Sequence, residues 1–353
     1  MLIRLVTAAC LAFVTAAGSA ADDVADFYKG KTVQVVVGYG AGGGYDLHAR
    51  LLARHLGRHL PGRPTVVVQN MPGAGSLRAA NYLYSIAPKD GTVLGIFARN
   101  MPLLGLLGGN PAVQFDPRKF TWLGSSSSYT EDAYLMFVRP GASVKSIEDA
   151  RRRGGPPLVL GATGDGATGN DVAILLRDAL ALNIKLISGY PDANALFIAI
   201  ERGELDGRIT DMSSVRANRG HWYNKPDGQP PGMRILMQFA RSTRHADFPD
   251  VPTARELAPD DRARAMIEMG EMPYIMSRPF VAPPGVPEAR AMALQTAFLA
   301  ALKDPELLSE ADKLKLGISP VGALEVLQQI DKISKLPPEL LEYMRKLQEA
   351  NRG

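Results

Sequence analysis

The sequence predicts an α/β protein built as two lobes, and three observations carry that expectation. Short apolar runs of strand character alternate with helical patterns through most of the chain, the mark of an α/β architecture. Two stretches are nearly alike: Val35-Val36-Val37-Gly38-Tyr39-Gly40-Ala41-Gly42-Gly43-Gly44-Tyr45-Asp46 and Leu158-Val159-Leu160-Gly161-Ala162-Thr163-Gly164-Asp165-Gly166-Ala167-Thr168-Gly169-Asn170-Asp171. Each runs from an apolar strand through glycines into a leucine-rich helical pattern, leaving unpaired backbone N–H groups at a helix start. Two such loops suggest two lobes that offer donors to one anion. Finally, the 353 residues contain one cysteine, Cys10, so large cores rather than disulfides must hold the fold.

The ends and the charge narrow the class. Met1-Leu2-Ile3-Arg4 is a short positive start, Leu5 to Ala17 is apolar, and Gly18-Ser19-Ala20-Ala21 supplies small residues for cleavage. Residues 1–21 therefore read as a signal peptide, too short for a stable membrane span. Export without disulfides or an anchor points to a periplasm. Lys and Arg total 40 against 36 Asp and Glu, an excess too small to indicate nucleic-acid binding.

In chain order, Val33 to Tyr39 reads as a strand and Asp46 to Leu60 as a helix with leucines at 47, 51, 52, 56 and 60. Pro61-Gly62-Arg63-Pro64 stops it. Thr65 to Gln69 is a β-branched strand, Leu77 to Ala87 a helix, and Thr92 to Phe97 a third strand. Pro102 to Phe120 looks irregular, and the serine tract 125–128 reads as a first crossing between lobes. Tyr134 to Val138 is a strand, Ser146 to Arg153 a helix, and Leu158 to Leu182 the second strand–loop–helix unit. Lys185 to Ser188, Leu205 to Thr210 and Arg234 to Phe239 read as strands; Asn194 to Arg202 and Arg262 to Gly270 read as helices. Met272 to Val281 is the return crossing, after which Glu288 to Lys303 and later helices finish the chain.

Catalytic chemistry finds little support. Gly38-x-Gly40-x-x-Gly43 formally fits a dinucleotide loop, but the next strand ends in Gln69-Asn70 instead of the acidic residue that loop requires. Neither glycine loop ends in Gly-Lys-Ser/Thr, no Gly-x-Ser-x-Gly elbow exists, and the exported chain would hold no cysteine nucleophile. No cofactor and no catalytic residue are expected. His48, His55 and His59 share one helical face, so a secreted metal-dependent hydrolase is the rival reading, though no His-Glu-x-x-His pattern accompanies them. Asp46, Asn170 and Asp171 sit where N-caps belong.

The first glycine stretch from Val33, then Val66-Val67-Val68-Gln69-Asn70-Met71-Pro72-Gly73-Ala74-Gly75, then Ala87-Pro88-Lys89-Asp90-Gly91, resembles the Bug family, the extracytoplasmic solute receptors of tripartite tricarboxylate transporters. The likeness continues through Gly161 to Gly169, Gly189-Tyr190, Gly203-Glu204-Leu205-Asp206-Gly207 and Phe248-Pro249-Asp250-Val251-Pro252-Thr253, and reaches Val281-Ala282-Pro283-Pro284-Gly285-Val286-Pro287. The resemblance implies a type II periplasmic-binding-protein fold: two α/β lobes joined by two crossing strands, closing like a Venus flytrap. Lobe 1 would be 22–127 plus 272–353 and lobe 2 would be 128–271. By position, the implied ligand-binding residues are Tyr39, Gly40, Gly42, Gly43, Gly44 and Asp46 in the first loop. The second loop supplies Thr163, Gly166, Ala167, Thr168 and Asn170, and Gly75, Asn100, Ser127, Tyr190, Asp211 and Tyr274 are further wall residues. The implied partners are a small carboxylate and the membrane subunits of a tripartite tricarboxylate-type transporter, served by a monomer; a receptor feeding a two-component sensor uses the same cleft. Lobe closure near 124–129 and 271–276 is expected to trap the acid on two helix N-termini without an arginine clamp.

Overall fold

The computed structural model describes residues 23–129, 132–152, 154–223 and 232–350, so the expected signal peptide at 1–21 lies outside the described residues. The first strand, β1 (Thr32–Val37), is β-branched and buried on both faces toward its C-terminal end, as a central parallel strand requires. The glycine loop leads into α1 (Gly44–His59), whose Leu51, Leu52 and Leu56 form its buried stripe. β2 (Thr65–Asn70) alternates exposed and half-buried positions because it lies at the sheet edge. Then follow α2 (Leu77–Ser85), β3 (Val93–Ile96), α3 (Met101–Leu107) and β4 (Thr121–Ser125). α3 corrects the irregular reading of this stretch. Pro102 stands in its first turn, where a missing N–H costs nothing, and Leu103, Leu104 and Leu107 bury one side.

The next elements are β5 (Tyr134–Val138), α4 (Ile147–Arg151), β6 (Leu158–Gly161), α5 (Thr168–Ala179), β7 (Ile184–Ile187), α6 (Ala193–Glu201), β8 (Gly207–Asp211), α7 (Met212–Arg219), β9 (Arg234–Phe239) and α8 (Asp261–Glu271). α7 has no counterpart in the sequence reading. It is a short polar helix, started by Asp211, whose side chain accepts the Ser214 N–H at 2.8 Å. The chain ends with β10 (Pro279–Ala282), α9 (Glu288–Ala301), α10 (Pro305–Lys313), β11 (Val321–Gly322), α11 (Ala323–Ser334) and α12 (Pro338–Glu349).

Two mixed sheets result, ordered β11-β4-β10-β3-β1-β2 and β7-β6-β8-β5-β9. β10 comes from far along the chain yet inserts antiparallel between β3 and β4. The first sheet is therefore discontinuous in sequence, and the chain passes twice between the sheets. The two passages run side by side: Ser126 N donates to Arg278 O at 3.1 Å, Ser277 N to Ser127 O at 3.0 Å, and Tyr129 N to Tyr274 O at 3.1 Å. The return passage differs from the strand expected there, because Met272–Met276 forms a 3-10 turn before β10 begins. One apolar cluster links both sheets, from Phe97 and Trp122 to Tyr134, Met136 and Leu160.

Candidate ligand-binding site

The two glycine loops meet across the gap between the sheets. Both are closed by the same device. In the first, the Asp46 carboxylate folds back to accept the Gly42 N–H at 2.8 Å, and Asn70 Nδ2 donates to its other oxygen at 2.8 Å. In the second, Asp171 accepts the Gly166 N–H at 2.9 Å and the Asn100 Nδ2 amide at 3.0 Å. This corrects the capping assignment. The N-caps are Gly43 and Ala167, while Asp46, Asn170 and Asp171 stand in the first helical turn. Asn170 instead accepts the Ser188 hydroxyl at 2.6 Å and donates to Asp165 at 3.3 Å.

The loops and helix starts enclose a cavity of about 50 Å³. Of the residues carried over by position, Tyr39, Gly40, Gly43, Gly44, Thr163, Ala167, Thr168 and Asp211 line it. Gly75 and Tyr190 line a neighbouring cavity of about 160 Å³, which shares Tyr39 and Thr163 with the first. Gly42, Asp46, Asn100, Gly166, Asn170, Ser127 and Tyr274 lie behind these walls. Gly42 holds a positive φ of 83° and faces Asn194. Ser127 belongs to the crossing, where its carbonyl accepts the Ser125 hydroxyl at 2.7 Å. The buried Tyr274 ring meets Tyr134 edge-on, with centroids 4.4 Å apart.

The structure also places three arginines here, contrary to the expectation of a site without an arginine clamp. Arg99 follows β3, is 1 % exposed, and lines the cavity. Its guanidinium stacks on Tyr134, Tyr274 and Tyr45 at 4.3, 5.0 and 5.5 Å from their ring centres. Among the described residues its hydrogen bonds go to neutral acceptors only, Ser277 O at 3.0 Å and Thr168 Oγ1 at 2.8 Å. Arg208 on β8 also lines the cavity and donates to Ala193 O at 3.3 Å; burial pulls its guanidinium down to about 10. Arg278 backs Gly44. Its Nη2 lies 2.6 Å from Asp211 and 3.8 Å from Asp132, although that Nη2 is not aligned to hydrogen-bond either carboxylate.

The closed arrangement is sealed by contacts between the halves. Asn194 Nδ2 donates to Ala41 O at 3.1 Å, and Arg99 and Asn100 reach Thr168 and Asp171. Tyr39 and Tyr45 stack at 4.8 Å and form one side wall. The Tyr39 hydroxyl reaches Gly75 O at 3.3 Å.

The histidine stripe has a different use. His48 bonds Ser126 at the crossing at 2.9 Å, while His55 and His59 pair with Glu310 of α10 and with its N-cap Asp304 at 2.9 and 2.7 Å. His55, Asp304 and Glu306 come close enough to hold an ion. Arg58, however, touches all three, at 2.8, 2.5 and 2.5 Å, so a guanidinium already supplies the positive charge there.

Burial sets a pH dependence. It pushes the Asp171 and Glu271 carboxyls up to about 7, and with the Asp211 charge it holds Asp132 at about 6. Between about pH 4 and those values the native state keeps protons that the unfolded chain has released, so stability falls as pH rises through that window. His48 opposes this: burial and then Arg278 lower it to about 3, so it costs stability below about pH 6.5. Asp211 acts in the acid range. Burial resists its ionisation, but Arg278, Arg99 and the Ser214 N–H hold its carboxyl below the usual range, and that stability is lost only in strong acid. Three carboxyls outweigh one imidazole. The melting temperature of the unliganded protein is therefore expected to be higher at pH 5 than at pH 8, and a rise toward pH 8 would contradict this assignment.

Comparison with known proteins adds to this geometry. No family model matches the chain. It is similar to the protein BugT of Bordetella pertussis, 27% identical over 251 residues, which span 69% of this chain and 71% of that protein. Among solved structures it resembles the periplasmic binding protein BugD, with a TM-score of 0.69, 20% identity, and coverage of 91% and 98% of the two chains. It also resembles MatC from Rhodopseudomonas palustris with bound malate, at a TM-score of 0.64 and 21% identity over 88% of this chain and 99% of that one. At these identities the structural likenesses establish the two-lobe fold.

Proposed function

We propose that this chain, which is similar to BugT and shares the fold of BugD, is a solute-binding protein of the Bug/TctC kind and an extracytoplasmic receptor that closes on a small organic acid. The observation that carries the reading is Arg99. It is a buried cation that lines a closed cavity and, among the described residues, has no carboxylate within 4.0 Å. Two neutral acceptors and three tyrosine faces compensate this guanidinium in part, and a bound anion offsets the rest of its desolvation cost.

The site suits binding rather than turnover. The first residues of α1 and α5 line the cavity, and a helix N-terminus contributes up to ~2 kcal/mol to holding an anion when partly buried. A charge-assisted bond from Arg99 adds ~1.5–3 kcal/mol. Together these approach the ~8 kcal/mol of micromolar affinity. The malate held by MatC is an acid of the same kind. The receptor's proposed setting is the periplasm, working as a monomer with lobes at 22–127 plus 272–353 and 128–271, and handing the acid to the membrane subunits of a tripartite tricarboxylate-type transporter.

The test is a thermal-shift screen with mono-, di- and tricarboxylates, aromatic acids, and neutral and cationic amino acids or amines as controls. An acid present at one hundred times its dissociation constant adds ~2.7 kcal/mol to stability, a shift of several degrees. No shift with any acid, or shifts only with the neutral and cationic controls, would overturn the reading.

A further inference from the structure

We propose that the ligand is an acid with a single carboxylate and an uncharged ring. The carboxylate sits in the cavity between the glycine loops, and the ring fills the neighbouring cavity beside Tyr39 and Tyr190. The inference rests on the anion-receptor reading and deepens it. The charges around the first cavity set the limit of one negative group. Arg99 and Arg208 line that cavity, and Arg278 backs it at Gly44. Against these three guanidiniums stand Asp211, 2.6 Å from Arg278 Nη2, and Asp132, 3.8 Å from the same atom. Burial, then the Asp211 charge, raise the Asp132 carboxyl to about 6, so at neutral pH it is ionised. Asp192 adds a further negative field at Arg208. At most one positive charge is left over. One ligand carboxylate neutralises it, whereas two would leave the enclosed cluster net negative, which burial disfavours.

The remainder of the ligand is then uncharged, and the first cavity has little space for it. At about 50 Å³ it equals ~4 water sites. The neighbouring cavity holds about 160 Å³ and adjoins the first at Tyr39 and Thr163, which line both. A void of about 150 Å³ takes one benzene ring. No charged side chain lines this second cavity, and its aromatic walls are Tyr39 and Tyr190, which suit a ring.

Two features show that this cavity is built in advance. Tyr39 is fixed by stacking on Tyr45 at 4.8 Å and by its hydroxyl, which donates to Gly75 O at 3.3 Å. A wall fixed before binding lowers the cost of ordering on the ligand. Ala74 and Ser76, in the turn that forms another wall, hold φ of 46° and 90°. Side chains adopt that left-handed region only at a cost, and such strain gathers at ligand clamps.

The test is calorimetric titration at neutral pH with phenylacetate, 3-phenylpropionate and 4-phenylbutyrate, each paired with its ring-free counterpart acetate, propionate or butyrate. The tightest aromatic acid is expected to outbind its counterpart by about 100-fold. Adding a para carboxylate to its ring is expected to weaken it by at least ~100-fold, because that charge would be buried against uncharged walls. Tyr190→Ala is expected to weaken the aromatic acid by ~10-fold and leave the ring-free acid unchanged. Should the melting temperature show that Tyr190→Ala has lost its fold, the wild-type comparisons decide. The inference is wrong, while the receptor reading stands, if no aromatic acid outbinds its counterpart or if the para-carboxylated analogue binds as tightly as its parent. A folded Tyr190→Ala that weakens both members of a pair equally also overturns it. If no acid of the wider screen binds, the receptor reading fails and takes this inference with it.

Discussion

Replacing Arg99 with methionine is expected to lower affinity for the bound acid by two to three orders of magnitude without lowering the melting temperature of the free protein. The two effects separate because of where the charge sits. In the unliganded protein Arg99 is a buried cation held, among the described residues, by neutral acceptors and tyrosine faces. Exchanging such a charge for an apolar side chain of similar length is often neutral or stabilising. In the complex the same change leaves a ligand carboxylate buried against no cation, which costs ~2–5 kcal/mol. Titration calorimetry reads the affinity, and thermal unfolding with and without the acid reads the stability. A methionine variant that binds as tightly as wild type would remove Arg99 from the site.

Gly75→Asn is expected to produce a loss of similar size by a different route. Gly75 holds φ 60°, a left-handed conformation that asparagine tolerates better than most residues. The obstacle is the opposing loop. A Cβ on Gly75 would stand 2.5 Å from Asp165 O and 2.9 Å from both the carbonyl carbon and the oxygen of Gly164. These are backbone atoms that cannot swing aside, so the variant folds but the halves cannot close fully. An affinity that needs the closed state falls in proportion to its population. The expectation is a near-wild-type melting temperature, at least ~100-fold weaker binding, and a radius of gyration that does not shrink when acid is added. Scattering that contracts as in wild type would contradict it. Gly43 is a weaker lever than its place in the loop suggests, because a Cβ there meets only Ala193 Cβ at 3.6 Å.

What the sequence made legible follows from local physics. The β-branched run before Gly38, the leucine stripe of α1 and the paired strand–glycine–helix units all depend on residues near one another in the chain, and all appear in the structure. The capping assignment missed by one turn, because an aspartate at the third or fourth helical position can fold back to the loop as well as an N-cap can project forward. The arginines were missed because their partners are remote: Arg278 finds Asp211 and Asp132, and Arg99 finds Thr168 and Ser277.

A signal for them did exist. Arg99 is the sole charge in Val93 to Gly108, and Arg278 is the sole charge in Met272 to Ala282. A lone charge inside an apolar run must be paired or functional when buried. Arg208 gave no such signal, because Asp206 precedes it and Asp211 ends its strand, although the strand is buried throughout from Gly207 to Asp211. Asp211 illustrates the opposite limit. Its position near the cavity was expected, but its commitment to Arg278 and to starting α7 was not.

The central claim is that one acid is gripped by both glycine loops and by Arg99 at once. A crystal structure of the complex with the acid that gives the largest thermal shift tests it most directly. The account predicts ligand carboxylate oxygens within ~3 Å of the Arg99 guanidinium and of the first free N–H groups of α1 and α5. An acid bound elsewhere, or held by one loop with the other facing away, would contradict it.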